Sequence, residues 1–356
     1  MERISEEMGR FLNILIGVVF IIAIACDEKE DEIGGVNIPE TDGHEWLSQY
    51  NFFLGDIADL VPNDQIGLLP YDLNVPLFSD YALKKRFVYV PEGETIPYQS
   101  QATLDLPIGS VLIKHFYYER SGQNDNYIET RLLIHRSDGW HPETYIWNED
   151  LSDARRSLVG GVKQLTIEVN GQNQALNYLI PNQNQCINCH AKNGQINPIG
   201  TEVPNLNKSY EYQDGLNNQL DKWVMQGILE DPGASDIPSW PEMDNESSSL
   251  NDRARAYLAV NCSSCHRLEG SAANSGLYLE YHNQDSLSLG FKKTPVAAGD
   301  GSGGLKYVIE PGNAEESILH YRINSSELEV RMPELGRALI HEEGVALIKE
   351  WIDNMD

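Results

Sequence analysis

The sequence predicts a multidomain α+β chain: a β-sandwich-like N-terminal domain followed by two mainly α segments. Three observations predict it. Between about residues 43 and 180, short runs of β-branched and aromatic residues are punctuated by Gly, Pro, Asn and Asp. Beyond 180 the strand signal fades and the pattern Cys-x-x-Cys-His occurs twice, as CINCH at 186–190 and CSSCH at 262–266. Helical periodicity then brackets the second run, before it at Leu250, Ala254, Tyr257 and Leu258, and after it at Ile348, Trp351, Ile352 and Met355.

The two C-x-x-C-H runs carry chemistry. Two thiols separated by two residues let one turn of backbone present both sulfurs to one porphyrin edge, where they add across the vinyl groups as thioethers. The histidine that follows is placed under the ring to ligate the iron. With 5 Cys and 9 His in 356 residues, one chance match is expected roughly 0.002 times. A Cys₄ zinc ribbon spaces its pairs by about 15–20 residues and needs no histidine after each, whereas these pairs lie 76 residues apart. A thioredoxin-like dithiol expects a βαβ setting that neither pair has. Cys186, Cys189 and His190, with Cys262, Cys265 and His266, are therefore the expected residues for two covalently bound haem c groups, each holding iron. The two segments read as cytochrome c-type haem modules.

At the N-terminus, Arg3 and Arg10 precede an apolar stretch of 15 residues, Phe11 to Ala25. That is short for a membrane span and suits the core of a signal peptide. It ends Ala23-Ile24-Ala25-Cys26 and turns abruptly acidic. Small residues before a lone cysteine resemble the lipobox of bacterial lipoproteins, although Ala23 stands where that pattern more often has Leu. The resemblance implies lipidation of Cys26 and a membrane anchor, with residues 1–26 as signal peptide and 27–42 as an acidic tether. Lys29-Glu30-Asp31 resembles the surface-export signal of Bacteroidetes lipoproteins. Export to the cell envelope, periplasmic or surface-exposed, agrees with covalent haem attachment, which in bacteria takes place outside the cytoplasmic membrane.

Net charge is −28, a surface that repels nucleic acid and favours a redox partner protein with a basic docking face, besides serving solubility. Four of the five cysteines belong to the haem runs and the fifth is Cys26, which leaves no thiol for a structural disulfide.

In the β-rich domain (43–180), strands are expected at 86–90, 110–118, 127–135 and 143–147. Alternation over 165–169 followed by Asn170-Gly171 predicts a tight hairpin returning over 176–180. His115, His135, His141 and the pair Glu129/Arg131 fall on these strands or their ends, where a lone histidine reads as structural. No nucleophile elbow, phosphate loop or H-E-x-x-H is present, and the domain's role is not legible.

The first haem segment and its linker (181–248) are expected to hold a helix over 216–229, ended by Asp231-Pro232-Gly233. For the second (249–356), Ser249 and Asp252 mark a helix start of the capping-box kind. A further helix is expected over 315–323, and a loop over 298–304. Glu342 and Glu343 sit at the positive end of the last helix.

The motifs NCSSCH (261–266), PGNAEESILHYR (311–322), RMPELG (331–336) and LIKEWI (347–352) resemble the class I cytochrome c domain. With LFSDYALKKRF (77–87), ETRLL (129–133) and WNEDLSDA (147–154), the whole chain resembles a family of exported di-haem cytochromes carrying an extra N-terminal domain. The resemblance implies Met332 as sixth ligand of the second iron. Pro333 disfavours α geometry at Met332, which should lie extended and able to cross a ring; thioether ligation would raise the reduction potential. For the first iron, Met225, a histidine of the β-rich domain and an open site all stay in play.

The expected function is electron transfer at the cell envelope, between a donor such as a dehydrogenase and a periplasmic or surface acceptor. The alternatives are a di-haem peroxidase-like enzyme or oxidoreductase subunit, and a binding module whose haems act only as relay.

Overall fold

The structure, a computed structural model, describes residues 35–119, 125–233, 236–296 and 298–355. Cys26, the expected signal peptide and the first half of the expected acidic tether, 27–34, lie outside the described residues. Among those described, no helix is long and apolar enough to cross a membrane.

A small pair, β1 (Phe53–Leu54) and β2 (Val61–Pro62), precedes the main sheet. That sheet consists of β3 (Leu69–Tyr71), β4 (Leu83–Tyr89), β5 (Val111–Tyr118), β6 (Asn126–Arg136), β7 (Gly139–Trp147) and β8 (Ala154–Arg156). Its order follows the chain, every pair is antiparallel, and β3 and β8 are the edges. A separate hairpin follows, β9 (Gly161–Val169) with β10 (Gln172–Ile180), turning at Asn170-Gly171. Both turn residues take positive φ, 51° and 76°, the requirement of a two-residue primed turn.

The expected β-sandwich is not found. In β5 and β6 nearly every position is buried, on both sides of the sheet, so these strands have no wet face. Nor is the sheet covered by a second full sheet. Irregular chain from 47 to 68 covers one face, packing Leu47, Tyr50, Phe52 and Leu68 on Phe87, Ile113, Leu132 and Tyr145. The opposite face is covered in two parts. At one end, Val88, Leu112, Leu133 and Trp140 meet Val203, Leu206, Trp223 and Leu229. At the other, Phe116 and Tyr118 meet Ile167, Leu176 and Tyr178 of the hairpin.

The two mainly α modules are not found either. Among the described residues the α-helices are α1 (Gln183–His190), α2 (Val203–Leu206), α3 (Gln219–Met225), α4 (Leu250–Asn261), α5 (Ile318–Ile323) and α6 (Glu342–Asp353), none longer than 12 residues. Between α1 and α3 lie two short hairpins, β11 (Ala191–Lys192) with β12 (Gln195–Ile196) and β13 (Ser209–Tyr212) with β14 (Gly215–Asn218). The helix expected over 216–229 is cut at both ends. Asn218 caps it, its side chain accepting from Leu220 N and Asp221 N, and Gly227 follows its end with φ 74°. Within 262–313 no α-helix occurs among the described residues, because apolar residues there recur without helical period and glycines interrupt them.

Expectations near the two ends of the last segment fare better. Ser249 Oγ accepts from Asp252 N at 3.0 Å to start α4, and Glu342 and Glu343 occupy the first turn of α6. α4 and α6 share an apolar cluster containing Leu258, Ile348 and Ile352. Gly344 allows this close crossing, since a Cβ there would collide with the Tyr257 ring. Gly344→Ala is expected to lower stability by about 1–3 kcal/mol in denaturant unfolding.

The segment 72–82 binds the sheet to everything after it. Asn74 Nδ2 donates to Pro204 O and Asn207 O, and Val75 N to Asn205 Oδ1. Phe78 N donates to Asn261 Oδ1, while Asp80 Oδ1 accepts from Ala338 N and Leu339 N, each at 2.7 Å.

Candidate functional site

Both C-x-x-C-H runs open on one cavity of about 760 Å³. The first forms most of α1, started by Asn182, whose side chain accepts from Gln185 N at 2.9 Å while Gln185 Oε1 accepts from Asn182 N. The second follows directly from the C-terminal end of α4. All four cysteines and both histidines of the two runs line the cavity, and so does Met332.

The runs also touch. Cys265 Sγ lies 4.0 Å from Asn188 O, Arg267 Nη2 donates to Ala191 O at 3.4 Å, and Asn193 N to Glu269 O at 3.1 Å. The Cys189 and Cys265 thiols act on each other, which raises the Cys189 pKa and lowers that of Cys265 to about 6. The four thiols of this cavity are free.

The two histidines are presented alike. His190 Nδ1 lies 2.7 Å from Asn197 O, a carbonyl that can only accept. His266 Nδ1 lies 3.3 Å from Ser275 Oγ, whose own hydroxyl donates to Ala272 O at 2.7 Å, so the ring donates here too. In both rings the proton is thereby held on Nδ1, and neither Nε2 has a hydrogen-bond partner among the described residues. Backbone or hydroxyl acceptors behind an imidazole are how proteins orient a metal-ligating nitrogen. Burial pushes both imidazoles down to about 4, and in His266 the Arg322 cation adds to it.

Met332 is set by an arginine. Buried Arg337 donates to Met332 O at 2.8 and 3.1 Å, to Leu339 O and Ser325 O at 2.9 Å each, and more weakly to Arg322 O and Ile323 O. Met332 N in turn donates to Arg322 O. His341 lies at the same wall, stacked on Phe78 with ring centroids 4.2 Å apart and its Nδ1 3.2 Å from Tyr257 OH.

The residues weighed for the first iron's sixth position lie elsewhere. Met225 ends α3 and is 69% exposed. His115 is buried on the far face of the sheet, 2.9 Å from Thr130 Oγ1. His135 Nδ1 is tied to Leu106 O and its ring stacks on Trp140, and His141 pairs with Asp138. None of these four lines the cavity.

Sequence reasoning missed the floor. The register sets Arg86 opposite Lys114, Lys114 opposite Arg131, and Arg131 opposite Thr144. Cross-strand partners share a face, so this row crosses the sheet between its two covered ends. Lys114, Arg131 and Thr144 line the cavity, as does Cys186. Arg86 pairs with Asp72 at 2.6 Å, and Arg131 pairs with Glu129 at 2.9 and 2.5 Å. Lys114 has no hydrogen bond or ion pair among the described residues. Burial first, then the neighbouring Arg86 and Arg131 charges, bring its amine down to about 7. Its normal pKa is 10.5, so over the interval from about 7 to 10.5 the unfolded chain binds the extra proton and folding gains stability as pH rises. Thermal unfolding of the haem-free polypeptide should show that gain, and Lys114→Met should remove it.

Among the described residues, no group of three or more His, Cys, Asp or Glu side chains converges to hold a bare metal ion. Comparison with protein-family models, curated proteins and solved structures finds no match to the chain.

Proposed function

We propose that this chain is a di-haem c-type cytochrome that transfers electrons at the cell envelope. The observation that carries the reading is the convergence of two C-x-x-C-H runs on one cavity, each with its histidine Nε2 unengaged. The donor set fits the group: paired thiols for thioether attachment, one imidazole per iron, and a porphyrin that brings its own equatorial nitrogens. A zinc or iron–sulfur reading would instead need several protein ligands around one point.

Bound there, each haem would supply a one-electron iron couple. Cys186 and Cys189 would hold the first and Cys262 and Cys265 the second, with His190 and His266 as iron ligands. Asn197 O and Ser275 Oγ keep those imidazoles in the tautomer that leaves Nε2 available. Arg337 holds the Met332 loop against the cavity, so that its thioether can serve as the second iron's other ligand. Because the two runs meet where Cys265 approaches Asn188 and both line one cavity, haems held by their thiols would lie near each other, which suits passage of an electron from one to the other.

Lipidation of Cys26, anchoring at a membrane and docking of a basic redox partner on the acidic surface belong to the same proposal. A second reading, small-molecule chemistry at an open first iron, is favoured by one observation: Met225, His115, His135 and His141 all lie away from the cavity.

Redox-resolved absorption and EPR of the purified, haem-loaded protein test the proposal. Two one-electron steps, with one iron in His/Met ligation, are expected for a carrier. A high-spin iron with peroxide-dependent turnover would favour the second reading, and a protein with no haem spectrum would refute both.

A further inference from the structure

We propose that Lys114 and Arg131, in the cross-strand row that Arg86 continues outside the cavity lining, form a carboxylate-binding subsite in the cavity floor, and that the carboxylates it takes are haem propionates. The source of those carboxylates rests on the haem reading above.

Three cations stand directly opposite one another on three neighbouring strands, the arrangement that cross-strand pairing normally avoids. Two of them have a carboxylate, Asp72 for Arg86 and Glu129 for Arg131. The third, Lys114, sits between them with none. The chain is not short of acids, with 54 Asp and Glu against 26 Lys and Arg, yet none pairs with Lys114 among the described residues, and Glu129, whose charge acts on it, is already paired with Arg131. A partly enclosed cation beside two others is costly unless an anion completes it. Arg131 engages Glu129 through Nε and Nη2, leaving Nη1 without a hydrogen bond among the described residues.

Location decides what kind of anion fits. Lys114 and Arg131 face the cavity that the cysteines and histidines of both runs line, and Arg131 acts electrostatically on both Cys186 and Cys189. An anionic group carried by whatever those thiols hold would share this cavity with Lys114 and Arg131. Planar guanidinium and point-like ammonium together suit carboxylate oxygens. The β-rich domain then has a role of its own, as the charged floor of the cavity. A cation held by the sheet favours the reduced form of a neighbouring redox group, so Lys114 is a positioning and potential-setting residue.

The test uses the full haem-loaded protein as wild type, Lys114→Met and Lys114→Arg. Midpoint potentials are measured by spectroelectrochemistry and haem is counted as the pyridine haemochrome in the same samples, with and without added acetate. Two haems in every protein are expected. Lys114→Met should lower one midpoint by a roughly tenfold change in its reduction equilibrium, about 59 mV for one electron. Lys114→Arg should restore it, and acetate should leave the wild type unchanged. If acetate shifts the wild type and not Lys114→Met, the subsite stands and its carboxylate comes from solution. Unchanged potentials in Lys114→Met with no acetate response would overturn the subsite while leaving the haem reading intact. Should no haem be present, the haem reading fails instead. Lys114-dependent protection by acetate against thermal unfolding then decides the subsite alone.

Discussion

Arg337→Ala is expected to destabilise the protein by about 2–4 kcal/mol and to lower one midpoint potential at the same time. Arg337 is 5% exposed, and its guanidinium donates to the backbone carbonyls of Met332, Ser325 and Leu339, with those of Arg322 and Ile323 as more distant, shared acceptors. Removing it leaves several partly buried acceptors without a donor, each a substantial cost. It also frees the loop that carries Met332. A stability loss with both potentials unchanged would show that the proposed Met332 ligation does not depend on this residue. Lys in place of Arg should recover little, because one ammonium cannot reach carbonyls spread around a planar fork.

Met332→Ala should lower the same midpoint without a comparable loss of stability. Axial ligands move haem potentials over roughly 0.8 V, and loss of a thioether is expected to shift this one by on the order of 100 mV. His341→Ala is the informative partner. Its ring stacks on Phe78 and bonds Tyr257 through Nδ1, so its removal should weaken the packing between 72–82 and α6 and leave both potentials in place. If His341→Ala moved a potential and Met332→Ala did not, the ligand assignment would pass to the histidine.

Parts of this architecture are legible in the sequence because they are local. Asn170-Gly171 announces the β9–β10 hairpin, as both residues must accept positive φ. Ser249 announces α4, since its hydroxyl caps the helix three residues on. The C-x-x-C-H runs declare themselves by composition and spacing. What failed depended on relations between distant segments. β5 and β6 read as sandwich strands, yet they are buried on both faces by irregular chain and by residues from 203 to 229. The helix expected at 216–229 is only seven residues long, because Asn218 caps it late and Gly227 ends it early. The cation row is not legible at all. Lys114 interrupts an apolar run, but Arg86 follows Lys84 and Lys85 and Arg131 follows Glu129 and Thr130, so neither stands out, and only the register sets the three side by side. Arg337 is hidden for a similar reason: its acceptors are backbone carbonyls, which no side-chain motif records.

The most direct test of covalent haem attachment is the intact mass of the exported, mature protein after acid–acetone extraction. A coloured polypeptide heavier by two haem groups is expected, with peptides containing Cys186–Cys189 and Cys262–Cys265 each carrying one. Complete loss of pigment to the solvent, with all four thiols recovered unmodified, would contradict it.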